Sequence, residues 1–213
     1  SPELVSALSL ALRPDVGASP RQPIPRNAVF AGPPGTGKTF LAERVAEVLT
    51  GERPSADGYV RLVQFHPSYG YEDFVWGIRP RLQDDRARFE EHVGPMLRLC
   101  RDANDEQDHL FVLIIDEINR GDPARIFGEL LYALEYRGRS VTMANGADLS
   151  VPPNVIVLGT MNTVDRSVAL VDYALRRRFS FLAVPPEPEL VAEKHPNAVG
   201  RAAAQALQAI NER

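Results

Sequence analysis

Eight consecutive residues, Gly32-Pro33-Pro34-Gly35-Thr36-Gly37-Lys38-Thr39, constrain the fold of this chain more than any other stretch. They read as glycine, four residues, then Gly-Lys-Thr. The apolar run Ala28 to Ala31 precedes them and reads as a short strand. Lys38 to Leu49 follows, with Leu41, Val45, Val48 and Leu49 on one side of a helix. A strand that turns through glycines into a helix aims successive backbone N–H groups at one point, where the positive end of the helix dipole adds to them. That arrangement holds phosphate. Lys38 is placed to neutralise β and γ phosphates, and the Thr39 hydroxyl to ligate Mg2+.

The remaining chain supplies the strands and helices such a loop needs. Leu62 to Phe65 reads as a second strand, and Leu110 to Ile115 is six apolar residues in a row, as in a strand covered on both faces. Val155 to Leu158 and Phe179 to Val184 complete five. Helices are expected over Pro95 to Ala103, from Pro123 through Leu134 behind an Asp122 cap with Gly138 as the stop, and over Asp165 to Arg176. Ser140 to Val151 holds Asn145-Gly146 between strand-like flanks, a hairpin signal. Tyr69 to Arg81 is aromatic and reads as irregular. Strands alternating with helices give an α/β fold with a parallel five-stranded sheet flanked by helices. Residues 1–26 are expected to be an amphipathic helix (Pro2 to Leu12) and a proline-rich linker, 27–186 the nucleotide-binding domain, and 187–213 the start of a further, helical domain.

Composition narrows the function classes. A net charge of −4 excludes a chain-wide nucleic-acid surface, and the single cysteine, Cys100, excludes an internal disulfide and a cysteine-rich zinc site. No apolar run approaches the ~20 residues of a membrane span, and the N-terminus lacks a signal-peptide pattern, so a cytoplasmic protein is expected.

Three further segments carry chemistry. Asp116-Glu117 ends the 110–115 strand, where Asp116 can reach the metal held by Thr39 and Glu117 can polarise an attacking water. Thr160-Met161-Asn162 ends the next strand, at the sheet edge where ligands sit, and Asn162 is placed to orient that water or touch the γ-phosphate. Arg176-Arg177-Arg178 closes a helix. It either complements the helix dipole or supplies an arginine to a neighbouring subunit's γ-phosphate. The four histidines, His66, His92, His109 and His195, show no metal spacing.

The segments Phe65 to Phe74 (FHPSYGYEDF), Ile115 to Arg120 (IDEINR), Met161 to Ser167 (MNTVDRS) and Asp172 to Phe179 (DYALRRRF) occur in one order that resembles the McrB family of AAA+ motors. The resemblance spans roughly residues 27 to 186. It implies the P-loop NTPase fold of that class: a five-stranded sheet followed by a helical lid. It implies that Gly32 to Thr39 bind nucleotide, that Thr39 and Asp116 hold Mg2+, and that Glu117, Asn162 and Asp165 act in hydrolysis. One of Arg176, Arg177 and Arg178 would serve the next subunit. It further implies GTP in preference to ATP, a homo-oligomeric, hexameric ring in a bacterial cytoplasm, an McrC-like nuclease partner, and contact with DNA only through a separate preceding domain. That DNA-reading domain is not expected within this chain, whose lid is expected to break off after Arg213.

The same residues also admit two other readings. A MoxR-like AAA+ ATPase that remodels proteins would share the phosphate loop, the acidic pair and the 140–151 hairpin, but not the MNTVDRS and YEDF segments. A nucleotide-gated scaffold would bind without turnover, against which Lys38, Asp116 and Glu117 argue. Base choice is not readable from the phosphate loop, which contacts phosphates alone.

Overall fold

The computed structural model describes residues 26–51, 58–83, 86–164 and 173–186. Five apolar segments pair in parallel: β1 (Asn27–Gly32), β2 (Val60–Gln64), β5 (Phe111–Asp116), β8 (Val155–Asn162) and β9 (Ser180–Ala183), in the order β2-β5-β8-β1-β9. Side chains alternate across a strand, so each run faces two cores. Ala28, Phe30, Val112, Ile114, Ile156 and Leu158 face α1 (Lys38–Leu49), which buries Ala42, Val45, Ala46 and Leu49 against them. Val29, Leu113, Ile115 and Val157 face the other way, onto α3 (Pro95–Asp105), α4 (Pro123–Phe127) and α5 (Leu130–Glu135). The result is a three-layer α/β sandwich. No helix among the described residues is long and apolar enough to cross a membrane.

The expected helix from Pro123 through Leu134 is two helices. Asp122 caps the first as expected, its Oδ1 accepting from the Arg125 backbone N–H at 3.2 Å with Pro123 in the first turn. The break falls at Gly128 (φ 50°, ψ −129°), where the ring of Tyr71 packs over the backbone and its hydroxyl donates to Glu129 Oε1 at 2.5 Å. A tertiary contact overrides helical periodicity there, and the helix ends at Glu135, before Gly138.

Tyr69 to Arg81 is not irregular. It contains the short helix α2 (Tyr71–Phe74) and opens a long antiparallel hairpin, β3 (Trp76–Gln83) with β4 (Arg86–Val93). Pro80 argues against a strand in sequence, but on a projecting two-stranded ribbon it is tolerated. One face carries Ile78, Leu82 and Phe89, which are 57%, 81% and 75% exposed. The Asn145-Gly146 hairpin is present as β6 (Val141–Thr142) and β7 (Asp148–Leu149), with Gly146 closing a turn onto the Met143 carbonyl. The last described helix, α6 (Tyr173–Arg176), is the end of the helix expected over 165–176. The expected helices near both termini, and Asp165, lie outside the described residues.

Candidate nucleotide site

The carboxyl ends of four adjacent strands converge on one point. In register, Gln64 of β2 lies beside Asp116 of β5, Ile115 beside Gly159 of β8, and Asn162 of β8 beside Gly32 of β1. Any side chain at these strand ends therefore reaches its neighbours, and the polar residues fall there.

The phosphate loop leaves β1 at Gly32. A Cβ at that position would lie 2.2 Å from the Val184 carbonyl oxygen, so only glycine admits the close approach. Gly37 is left-handed (φ 78°, ψ 21°) and caps α1 with its backbone, aiming the helix N-terminus back at the loop. Lys38 is nearly buried, and its ammonium donates to the Pro33 carbonyl at 2.7 Å, inside the curl of the loop. Burial lowers its pKa, and the nearby carboxylates of Glu117 and Asp116 act in the opposite direction.

Asp116 accepts hydrogen bonds at 2.7 Å from the Thr39 hydroxyl and at 2.7 Å from the Thr160 hydroxyl, both on Oδ1, while Gln64 Nε2 donates to Oδ2 at 3.3 Å. A hydroxyl and a carboxylate meeting at one point form an oxygen-only donor set. That is the chemistry a hard divalent ion such as Mg2+ takes, so Thr39 and Asp116 fit the expected metal. The sequence assigned no role to Thr160, although it named the segment that holds it, nor to Gln64. The available signal was a polar residue at the end of each strand beside the one carrying Asp116, which becomes informative only once strand order is known.

Glu117 has φ 55°, the one non-glycine residue at positive φ among the described residues. A left-handed residue of this kind costs roughly 1–3 kcal/mol and persists only where its surroundings over-determine it. Here they do. The Glu117 N–H donates to the Thr160 hydroxyl oxygen at 3.0 Å, and the Ile118 N–H to the Thr160 carbonyl at 2.9 Å. Asn162 Nδ2 donates to Glu117 Oε1 at 2.5 Å. The expected catalytic carboxylate and the expected strand-end asparagine are thus brought together.

The arginines lie at the other end of the sheet. Asn27, the first residue of β1, donates through Nδ2 to the Arg178 carbonyl at 3.0 Å and accepts from Arg137 at 2.5 Å. Arg178 is ion-paired with Glu135 at 2.7 Å and is 7% exposed. Arg177 reaches the same carboxylate oxygen at 3.2 Å but is 53% exposed. The Arg176 guanidinium lies over the Phe181 ring, 5.9 Å from its centroid.

Comparison with known proteins shows the family. The family model for the AAA domain, dynein-related subfamily, matches residues 27–179. The chain is 42% identical over 174 residues to the type IV methyl-directed restriction enzyme EcoKMcrB subunit of Escherichia coli K12, covering 78% of this chain and 37% of that protein. It is 30% identical over 219 residues to the type II restriction enzyme BsuMI component YdiS of Bacillus subtilis 168, covering 83% and 63%. The chain thus spans less than two thirds of the length of either relative. A solved structure from Cytophaga hutchinsonii superposes with a TM-score of 0.50 at 15% identity, covering 96% of this chain and 56% of that one, a likeness of fold alone.

Proposed function

This chain belongs to the dynein-related subfamily of AAA domains, and on that footing we propose that it is a magnesium-dependent nucleoside triphosphatase, preferring GTP to ATP, that serves as the motor of a restriction complex. One observation carries the hydrolytic reading. Asp116 is bonded to the phosphate-loop threonine, Thr39, while the adjacent Glu117 is bonded to Asn162. A metal-holding carboxylate and a water-activating carboxylate thus sit side by side at the end of one strand. Lys38 supplies positive charge to the β and γ phosphates, and the N–H groups of Gly35 to Thr39 complete the cradle. Thr39 and Asp116 would hold Mg2+, whose positive charge would offset that of the phosphates. Glu117 accepts the proton of the attacking water, and the Asn162 amide orients carboxylate and water together. Asp165, in the same segment as Asn162, is a further candidate for that task.

The restriction role is supported by the likeness to the Escherichia coli subunit and to YdiS, with GTP preference, a hexameric ring and an McrC-like nuclease partner following from the McrB-type motifs. DNA would be reached through a separate domain, in a bacterial cytoplasm. The trans arginine is supported by distance. Five residue steps from Asn27 to Gly32, at ~3.3 Å each, separate the Arg178 anchor from the phosphate loop by about 17 Å, beyond the reach of an arginine side chain. Of the three, Arg176 and Arg177 are exposed, and Arg177 has half its side chain in solvent.

The test is phosphate release with magnesium, from GTP and from ATP, together with competitive binding of the two. Turnover absent from both nucleotides would leave a binding scaffold. ATP bound as well as GTP, or better, would favour the MoxR-like reading.

A further inference from the structure

We propose that Asn119 is a positioning residue for the hydrolytic pair, setting the backbone from which Asn162 reaches Glu117. The inference rests on the hydrolytic reading of that pair and deepens it. Residues 117 to 119 form the turn after β5, and three bonds sew that turn to the end of β8. Two come from the backbone N–H groups of Glu117 and Ile118 to Thr160. The third comes from a side chain: Asn119 Nδ2 donates to the carbonyl oxygen of Asn162 at 3.2 Å. Asn162 then returns the contact through its own amide to Glu117 Oε1. Glu117, Asn119 and Asn162 thus close a ring in which Asn119 holds the main chain of Asn162, and the side chain of Asn162 holds the carboxylate.

A purely structural residue would be chosen differently at this position. Asn119 is 6% exposed, and its Oδ1 is buried with no hydrogen-bond partner among the described residues. A buried acceptor left unmet destabilises a fold, and an apolar side chain of similar shape would avoid that cost. Retaining the amide makes sense where its donor sets the geometry of a reacting group. Departures from the locally best choice are expected at such sites.

The test uses Asn119→Leu, which removes donor and unmet acceptor together, and Asn119→Asp, which keeps the shape and removes the donor. Each is made alone and in an Asn162→Ala background, and single-turnover hydrolysis, nucleotide affinity and thermal midpoint are measured with GTP and ATP. Positioning predicts that affinity stays within about twofold while the single-turnover rate falls by ~10-fold or more, short of the ~100-fold that misplacement by 1 Å can cost. The thermal midpoint of Asn119→Leu should change little, because removal of the unmet acceptor offsets the lost bond to the Asn162 carbonyl, so the fall in rate is not a loss of folded protein. With Asn162 already removed, either substitution should change the rate by less than about twofold, because its route of action is gone. Wild-type rates in both single variants, or losses that add fully to that of Asn162→Ala, would overturn the proposal. Should Asn119→Leu fail to fold, Asn119→Asp carries the same comparison. If Glu117→Gln and Asn162→Ala themselves hydrolyse at the wild-type rate, the hydrolytic reading falls and the positioning role with it. Slow Asn162→Ala beside normal Asn119 variants removes the positioning role alone.

Discussion

Arg177→Ala and Arg178→Ala should fail in different ways, although the two residues are adjacent and share one carboxylate. Arg178 is 7% exposed and meets Glu135 at 2.7 Å, while Glu135 is 25% exposed. Breaking a fully buried pair costs ~3–5 kcal/mol. Glu135 keeps some solvent and retains Arg177 at 3.2 Å as a substitute partner, so about 2 kcal/mol is expected instead. In a chain of this size that lowers the thermal midpoint by about 4–8 °C. Arg177 is 53% exposed, and an ion pair that open to water contributes only ~0–1 kcal/mol. Arg177→Ala should therefore melt close to the wild type. Its effect should appear in turnover, because an arginine supplied across a subunit boundary contributes ~10³–10⁵ in rate. Calorimetry gives the midpoints and phosphate release on the assembled protein gives the rates. Mixing Arg177→Ala subunits with Lys38→Ala subunits should partly restore hydrolysis, since some interfaces then pair an intact loop with an intact arginine. Arg177→Ala turning over normally in the assembled state would refute the trans role. Arg178→Ala melting with the wild type would refute the division of labour.

Three other outcomes are expected. Lys38→Ala should weaken nucleotide binding by about 2 kcal/mol or more, roughly thirtyfold, as a charge-assisted contact to phosphate is lost; unchanged calorimetric affinity in a folded variant would remove the phosphate-loop assignment. Glu117→Gln should bind nucleotide normally and stop hydrolysing, since an amide fills the same space but accepts no proton; wild-type turnover would move the role to another residue, Asp165 first. Cys100 is buried and its thiol is pushed up to about 12, so almost no thiolate exists at pH 8 and labelling by a thiol reagent should proceed only through unfolding. Labelling at the rate of a free thiol under native conditions would contradict the burial of α3 against the sheet.

The phosphate loop and the acidic pair were legible because their meaning is local. Gly32 to Thr39 must turn between a strand and a helix wherever the sheet lies, and an apolar run ending in Asp116-Glu117 must present them at its carboxyl end. The hairpin 76–93 was not legible. Its alternation mixes arginine, glutamate and proline with Ile78, Leu82 and Phe89, and those apolar residues face solvent, so no buried face disciplines the pattern. The break at Gly128 was hidden for a related reason. Both flanks are good helix, and the Tyr71 ring that packs on the backbone comes from a segment 57 residues earlier, (128 minus 71). Thr160 and Gln64 became visible as partners of Asp116 only through strand order.

That order also governs what one subunit can do alone. With β8 between β5 and β1, Asn162 lies beside Gly32 and within hydrogen-bond reach of Glu117, so phosphate loop, carboxylates and asparagine share one end of the sheet. The same parallel arrangement sends the chain back to the opposite end before β9 begins. There Asn27, itself held by Arg137, holds the backbone of Arg178, and Glu135 holds its side chain. Arg137 is itself partly buried, with neutral acceptors in Asn27 and the carbonyls of Val155 and Pro152, and desolvation lowers its pKa to about 10. It remains charged at neutral pH and ties the starts of β1 and β8 to the end of α5. Such an anchor keeps the arginine segment from swinging toward its own phosphate loop. On the proposed reading, an arginine fixed at that end would meet a γ-phosphate only where another copy brought one to it, which is why its test lies in mixed assemblies and not in one subunit.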